Sequence, residues 1–444
     1  SKPSNSRSAG SRSASSRSSN LKRGRTPGTV NDDAQGERST REAPRKAPQE
    51  AGDERGLSSL HRKVKAQLDT PQLDYKVLLV VTFCLTGLGL VMVLSSSMVT
   101  SYASGASVFG EFIKQAMVVV IGLVVMWVAL RMRPETIRKY SPWLLVFAIL
   151  MLIAVLIPGV GVGGDEVGSN SWIRIGPIGV QPSEVAKLAL AVWGAATVSY
   201  RARATQRLNS GMGAFLAVSA IILVLVLLQK DLGMMFSVGI VVAALMFFAG
   251  VKRKVFVTML GVIAALGVLA IFRQSFRGAR ITTWRDTLTL NFGDTTTQGA
   301  AYQSHQGILS LSDGGLMGTG LGQSRAKWFY LPEAKNDFIF AIVGEELGLF
   351  GAVFVVLLFG FLAWFGTRTA LAQKDPFLRL LAGTLTIGIS VQAFFNIGYV
   401  VGLLPVTGIQ LPLISAGGSS AIITLLSMGL LCNLSLIHIS EPTR

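Results

Sequence analysis

The chain has 444 residues and a formal net charge of +17; half of its residues are hydrophobic and only 15% are charged. Its mean hydropathy of +0.52 excludes an ordinary soluble domain. Apolar runs of about 18 to 25 residues recur along it, and such runs can cross a bilayer as helices. The sequence has neither a G-x-x-x-x-G-K-[ST] motif nor a dinucleotide fingerprint, so ATP-driven chemistry is not expected. We predict an all-α, polytopic membrane protein.

Residues 1–75 differ in composition from the rest of the chain. The stretch SNSRSAGSRSASSRSS near the start is low in complexity and has no aromatic residue, so it cannot build a hydrophobic core. We predict a disordered, basic cytosolic tail. Attraction to anionic membrane lipids explains its charge better than RNA binding does, and no nucleic-acid partner is expected.

Ten apolar segments predict about ten transmembrane helices within residues 76–436. They are 77–97, 113–130, 143–158, 183–199, 213–228, 233–250, 255–272, 338–365, 379–403 and 419–436. Alternate connections are basic, which predicts that both termini are cytosolic. Residues 437–444 are not expected to continue the last segment, and their origin is uncertain.

A long outward-facing loop is predicted over residues 273–337. Loops of this length usually carry function. The loop is basic, and Arg277 and Arg280 are spaced to share one side of a helix. A solvated charged face and a site for an anionic group such as a pyrophosphate are both open interpretations.

The stretch LPEAKNDFIFAIVGEELG, residues 331–348, carries acids into an apolar segment. Asp337 falls near the start of the eighth predicted helix, where the helix dipole favours a carboxylate, so capping and chemistry are both open. Glu345 lies about 12 Å deeper at roughly 1.5 Å per residue. An ionisable group at that depth normally faces the protein interior or a wet cavity. Glu333 precedes Asp337 in the loop.

A second group of charges follows the third predicted helix. Trp172 suits the membrane interface, and Glu184 and Lys187 are spaced to pair on one face of a helix. Structural pairing is favoured over substrate contact. Asp231, in LLQKDLG, is another possible partner for Lys187.

Irregular or closely packed backbone is expected at two further places. LPLISAGGSS, with Ser415 and Ser419, is broken by Pro and Gly before the last helix. Such backbone at membrane depth must be buried in protein or line a cavity, which predicts a groove wall. Glycines at four positions in the eighth and ninth segments permit either docking of a partner helix or internal packing. They are Gly348, Gly351, Gly383 and Gly388.

Five blocks in order resemble the SEDS family of peptidoglycan polymerases, and its cell-division branch more than its elongation branch. They are WIRIGPIGVQPSEVAKL, LLQKDLG, GLMGTGLGQS, LPEAKNDFIFAIVGEELG and GIQLPLISAGGSS. The resemblance covers about residues 75 to 432. Two departures stand out: Lys230 replaces a usual proline, and AKND replaces the more usual AHTD. Both keep Asp337.

The resemblance implies a ten-helix SEDS fold and a peptidoglycan glycosyltransferase of septal cell-wall synthesis. The substrate would be lipid II, an undecaprenyl-pyrophosphate disaccharide pentapeptide, polymerised into β-1,4 glycan on the outer face of the bacterial cytoplasmic membrane. The implied partners are a class B penicillin-binding protein, which is a transpeptidase, and other division proteins. A lipid II flippase or other transporter and a non-enzymatic division scaffold are the alternatives.

Asp337 is the essential acid that the resemblance implies, and we expect it to act as general base in one inverting displacement. We predict substrate binding by Trp172, Lys187, Arg277, Arg280, Gln306, Arg325, Lys327, Ser415 and Ser419. We predict structural support from Glu184, Asp231, Glu333 and Glu345. No cofactor is firmly implied. A divalent cation such as Mg²⁺ could share the neutralisation of the pyrophosphate, although the sequence shows no defined metal ligands.

Overall fold

The protein is described here by a computed structural model. It describes residues 71–440, with gaps at 104, 106, 164–168, 177, 206–211, 273–283, 286–287, 290–299, 329 and 333. Nearly all of the predicted tail lies outside the described residues. Arg277, Arg280 and Glu333 also lie outside them, so their predicted roles stay predictions.

Eleven helices have bounds within the described part of the chain. They are α1 (Pro71–Ala103), α2 (Gly110–Ala129), α3 (Pro134–Ala154), α4 (Pro182–Thr205), α5 (Met212–Leu228), α6 (Leu232–Phe248), α7 (Arg253–Phe272), α8 (Ala300–Asp313), α9 (Ile339–Ala372), α10 (Pro376–Val400) and α11 (Gly418–Ser440). Ten coincide with the ten predicted segments, and α8 lies in the predicted outward loop. The all-α prediction is confirmed.

Six of these helices are long and apolar enough to cross a membrane: α1, α2, α3, α9, α10 and α11. Two more, α5 and α6, are apolar but shorter. The number of ten spans therefore stays a prediction.

The last helix is longer than predicted. It continues to Ser440, so the expectation that the chain leaves the helix after residue 436 is wrong. Residues 437–440 contain no Gly or Pro, and the first proline after them is Pro442. These four residues include no helix breaker, so the helix can extend past the change in composition.

A small antiparallel sheet, which the sequence did not predict, lies between α3 and α4. Its strands are β1 (Gly161–Val162), β2 (Trp172–Ile175) and β3 (Ile178–Val180), in the order β1-β2-β3. Ile173 pairs with Val180, and Ile175 pairs with Ile178. Strands of two to four residues are too short to show the alternation that identifies a strand.

Helices α10 and α11 lie at the centre of the helix packing. Helix α10 packs against α4, α6 and α9, and α11 packs against α1 and α2. Most residues of α10 are buried, including several polar ones. Polar groups inside such a helix need partners within the protein, which draws loop backbone towards α10.

Helix α9 is interrupted at Gly348, whose φ of 67° and ψ of −167° are not helical. A loop segment fills this break with backbone hydrogen bonds. They run from Thr319 N to Glu345 O (2.9 Å), Gly320 N to Glu346 O (3.1 Å), Leu349 N to Gly315 O (2.9 Å) and Phe350 N to Leu316 O (3.4 Å). The groups that the break would leave unpaired are therefore bonded within the protein.

The glycines considered for partner docking serve internal packing instead. A Cβ at Gly383 would lie 2.4 Å from the Phe248 ring, and one at Gly388 would lie 3.5 Å from Val241. Both neighbours belong to α6. A Cβ at Gly348 would lie 2.3 Å from the backbone nitrogen of Gly318. The docking interpretation is wrong for these three positions, because they already touch parts of the same chain.

We expect Gly348→Ala to destabilise the protein. The backbone conformation at this position is essentially restricted to glycine, and forcing another residue into it costs about 1–3 kcal/mol. Gly360→Ala on the same helix is the matched control, since a Cβ there meets nothing within 4 Å. Thermal unfolding in detergent should show a lower melting temperature for the first variant only. An unchanged melting temperature for Gly348→Ala would contradict the described break.

Candidate active site

Asp337 lies two residues before the start of α9, as predicted. It belongs to a turn over residues 334–338 and is half-buried. Its carboxylate Oδ2 is 3.4 Å from the position that a Cβ would take at Gly408, where φ is +74°. Glycine tolerates such a φ without strain. The backbone before α11 can therefore approach the carboxylate closely.

The carbonyl groups of three consecutive residues, Lys335, Asn336 and Asp337, all accept hydrogen bonds. Ala416 N donates to Lys335 O at 2.9 Å, and Ser415 Oγ donates to Asn336 O at 2.7 Å. Asp337 O accepts from Asn396 Nδ2 and from the Tyr399 hydroxyl, both at 2.9 Å. The turn that carries Asp337 is thus bonded at every residue from 335 to 337.

Three polar residues of α10 hold the segment before α11 as well. Gln392, Asn396 and Tyr399 recur at i, i+4 and i+7, so they share one helix face; we name them the α10 polar stripe. Gln392 Nε2 donates to Gln410 O at 3.1 Å. Asn396 Nδ2 and the Tyr399 hydroxyl both lie 2.7 Å from Ile409 O. Sequence reasoning missed the stripe, although polar residues at helical spacing in an apolar segment were an available signal.

The predicted Glu184–Lys187 pair is confirmed, and it contacts the α10 polar stripe at Gln392. Lys187 Nζ is 2.7 Å from Glu184 Oε2 and donates to Gln392 Oε1 at 2.6 Å. Asp231 caps α6 by accepting from Met234 N at 3.0 Å. The two charges of α4 are therefore tied to α10.

The two serines that the sequence singled out, Ser415 and Ser419, each bond to backbone near the start of α11. Ser415 Oγ, besides its bond to Asn336, accepts from Leu411 N at 2.8 Å. Ser419 Oγ accepts from Gln181 N at 2.8 Å, and Gln181 Nε2 donates to Asp231 Oδ2 at 3.1 Å. Both serines hold backbone together, and their predicted substrate contacts stay predictions.

The buried acids of α9 anchor the outer loop. Glu346 Oε1 is 3.2 Å from Lys327 Nζ, and their side chains are 0% and 2% exposed. Ser95 Oγ of α1 donates to the same carboxylate at 2.6 Å. Glu345 accepts hydrogen bonds from Ser324 Oγ and from the backbone nitrogen of Arg325. Glu345 therefore bonds the loop to α9, and its predicted supporting role stays a prediction.

Lys327 and Arg325, both predicted to bind substrate, lie in different environments. Lys327 Nζ also donates to Gly322 O at 2.6 Å. A cation that is buried and already paired is poorly suited to binding a lipid head group, so a structural role fits Lys327 better. Arg325 is exposed, and its predicted role stays a prediction.

A cavity of about 550 Å³ adjoins the turn that carries Asp337. Its charged lining residues are Glu111, Lys114, Arg174 and Lys335. Glu111 bridges two of the cations, because its carboxylate is 3.3 Å from Lys114 Nζ and 3.4 Å from Lys335 Nζ. Sequence reasoning named none of these four as site residues.

The rest of the cavity wall is largely apolar and includes the predicted Trp172. Along α2 the lining changes from Glu111 and Lys114 in the first turns to Met117, Val118 and Ile121 further along the helix. Asn336, the residue before Asp337, and Gln410, which the stripe holds, complete the polar side. The cavity thus combines cations with an apolar strip and is lined by the residue before Asp337.

Gln306 lies on α8, which packs beside the same turn. It is half-buried, and a Cβ at the adjacent Gly307 would lie 3.1 Å from the Phe338 ring. Its predicted substrate contact stays a prediction. Among the described residues, no group of three or more His, Cys, Asp or Glu side chains could hold a metal ion.

The fold and site define a helical integral membrane protein with an acidic residue at a helix start, beside a cavity of cations and apolar residues. The chain belongs to the family of FtsW, RodA and SpoVE, because the family model described as "Cell cycle protein" matches residues 76–438.

Several curated relatives cover most of the chain. "Probable peptidoglycan glycosyltransferase FtsW" of Mycobacterium tuberculosis is 39% identical over 392 residues, which are 88% of this chain and 73% of the relative. The protein of the same name from Geobacter metallireducens is 35% identical and covers 81% of this chain and 94% of its own length. "Stage V sporulation protein E" of Bacillus subtilis is 36% identical, with 81% and 96% covered.

Solved structures share the fold. A chain from "Structural coordination of polymerization and crosslinking by a peptidoglycan synthase complex" matches with a TM-score of 0.63 at 23% identity, over 82% of this chain and 98% of its own. Rod shape determining protein RodA of Thermus thermophilus matches with a TM-score of 0.59 at 23% identity, over 82% and 97%. At these identities the likeness extends to the fold alone.

We expect Lys327→Met to destabilise the protein by about 3–5 kcal/mol, because it leaves the buried Glu346 carboxylate without its cation. Lys327→Met combined with Glu346→Gln should recover much of the loss, since the amide keeps hydrogen-bonding capacity without a charge. Melting temperatures of the three proteins in detergent measure this. If Lys327→Met melts like the parent and only needs more lipid substrate, the predicted substrate contact would be right instead.

Proposed function

We propose that this protein is a glycosyltransferase that polymerises lipid II into β-1,4 glycan strands for septal peptidoglycan synthesis. The observation that carries the proposal is the half-buried Asp337 carboxylate, held in a bonded turn beside a cavity with three cations and an apolar wall. Membership of a family with relatives named peptidoglycan glycosyltransferases supports it.

The cavity suits a lipid-linked sugar pyrophosphate in each of its parts. Lys114, Arg174 and Lys335 provide positive charge for phosphate oxygens. Met117 and Ile121 are 52% and 44% exposed and offer apolar surface for a polyprenyl chain. Because Lys114 and the apolar strip follow one another along α2, a head group and its tail could bind in one continuous orientation.

In the proposed reaction, Asp337 is the general base. It takes the proton from the 4-hydroxyl of the acceptor sugar while that oxygen attacks the anomeric carbon of the donor. The bond to the polyprenyl pyrophosphate breaks in the same step, so an α-linked donor gives a β-linked product. The proton then leaves Asp337 for water.

One carboxylate is enough for this scheme, unlike the two that a glycosidase uses. The leaving pyrophosphate needs its charge neutralised, and the cavity cations can supply that. A divalent cation such as Mg²⁺ at the pyrophosphate stays a prediction.

Several finer features of the proposal rest on the resemblance and on the charge pattern. We propose cytosolic termini, chemistry on the outer face, and location at the division septum. We also propose a class B penicillin-binding protein as the transpeptidase partner. The structural neighbour's name, which describes polymerisation and crosslinking by one complex, supports such a partnership.

We expect Asp337→Asn to reduce the rate of glycan polymerisation by about 10²–10⁴, the range typical of lost general-base catalysis. The amide keeps the size of the side chain, so the melting temperature should change little. Purified variant and parent are compared with labelled lipid II, and products are separated by length. Near-normal glycan from the variant would exclude Asp337 as the base.

Labelled lipid II also separates the three candidate functions. Glycan ladders from the purified parent protein identify a polymerase. Movement of labelled lipid II across a proteoliposome membrane without ladders identifies a transporter. If a folded protein gives neither ladders nor movement, the scaffold function remains.

We expect Lys114→Ala combined with Arg174→Ala to raise the lipid II concentration needed for half-maximal rate. The maximal rate should change less, and the effect should shrink at high salt because exposed charges are screened. Arg131→Ala is the control, since it removes a cation beyond the opposite end of α2, where Arg131 stacks over Trp127 at 3.8 Å. An unchanged concentration dependence in the double variant would exclude this cavity as the pyrophosphate site.

A further inference from the structure

We propose that Asn396, Tyr399 and Ser415 are positioning residues for Asp337. Their hydrogen bonds to main-chain carbonyls fix where the carboxylate stands, although none of the three needs to touch substrate. The inference rests on the proposed function and adds residues that act through Asp337 in the same reaction.

The turn that carries Asp337 is held by bonds from other elements. Residues 334–338 precede α9 and lack the regular hydrogen bonds of a helix. Ser415, Asn396 and Tyr399 supply side-chain donors to the last two carbonyls of this turn before Phe338. Removing these donors takes away the hydrogen bonds that tie the two carbonyls to α10 and to Ser415, which allows the turn to shift.

The two donors on α10 are themselves held in place by burial and packing. Asn396 and Tyr399 are 0% and 1% exposed and lie on α10. The Tyr399 ring packs edge-on against Phe338, the residue after Asp337, with centroids 5.8 Å apart. Donors on a buried helix hold their acceptors in place more firmly than donors on a loop.

Asn396 and Tyr399 also lie within hydrogen-bond distance of both sides of the site. Asn396 Nδ2 and the Tyr399 hydroxyl each contact Asp337 O and Ile409 O. Ile409 follows Gly408, whose backbone lies beside the Asp337 carboxylate. The two residues of α10 therefore set the separation between the carboxylate and the facing backbone.

The test uses Tyr399→Phe and Ser415→Ala, each of which removes one hydroxyl. Thr386→Val is the matched control on α10, because the Thr386 hydroxyl is buried and bonds only to Ala382 O of its own helix among the contacts described. Polymerisation of labelled lipid II gives kcat and KM, and detergent melting gives stability.

We expect kcat to fall by about 10- to 100-fold when Tyr399→Phe and Ser415→Ala are combined, since a misplacement of about 1 Å can cost 10²-fold. KM should stay near that of the parent, and Thr386→Val should retain parental kcat. In an Asp337→Asn background, the same two changes should lower the residual rate by less than about twofold, because residues that act as a unit are not additive.

Each other outcome overturns the proposal in a recognisable way. Parental kcat in the combined variant, or an equal loss of rate with and without Asp337, would mean that the three residues do not act through the carboxylate. A melting temperature lowered in proportion to the rate, for Thr386→Val as well, would indicate general packing. Absence of any glycan from the parent protein would instead refute the proposed function itself.

Discussion

The structure depends on one constraint: backbone that leaves a helix among packed membrane helices must find hydrogen bonds inside the protein. At the break in α9, the outer loop supplies them on both sides of Gly348. Before α9 and before α11, the α10 polar stripe and Ser415 supply them. The segment before α9 carries Asp337. The bonds that make its irregular backbone tolerable therefore also determine the geometry of the candidate site.

Buried charges obey the same constraint and connect distant parts of the chain. Glu346 and Lys327 pair with almost no exposure, and Ser95 joins them from α1. Glu184 and Lys187 pair on α4, and Lys187 reaches Gln392 of the stripe. An isolated charge at such depth would be costly. Each pair, together with its hydrogen-bonded neighbour, therefore connects elements that are distant in the sequence.

The sequence predicted what depends on local pattern. All ten apolar segments became helices, and the i, i+3 spacing of Glu184 and Lys187 correctly predicted an ion pair. The sequence could not predict Lys327 as the partner of Glu346 and Ser95, because its charge alone suggested a cation that faces outward. Lys114 and Arg174 belong to separate elements whose approach depends on tertiary packing. The α10 stripe was visible as a spacing, but its acceptors are carbonyl groups, which no side-chain pattern reveals.

We propose that sugar transfer takes place at Asp337, with the pyrophosphate against the cavity cations. The most direct measurement is an experimental structure of the Asp337→Asn protein with lipid II bound. We expect pyrophosphate density beside Lys114, Arg174 and Lys335. We also expect an acceptor hydroxyl about 2.6–3.2 Å from the side chain at position 337, which is hydrogen-bond reach for a general base. Pyrophosphate bound elsewhere, with no sugar near position 337, would contradict it.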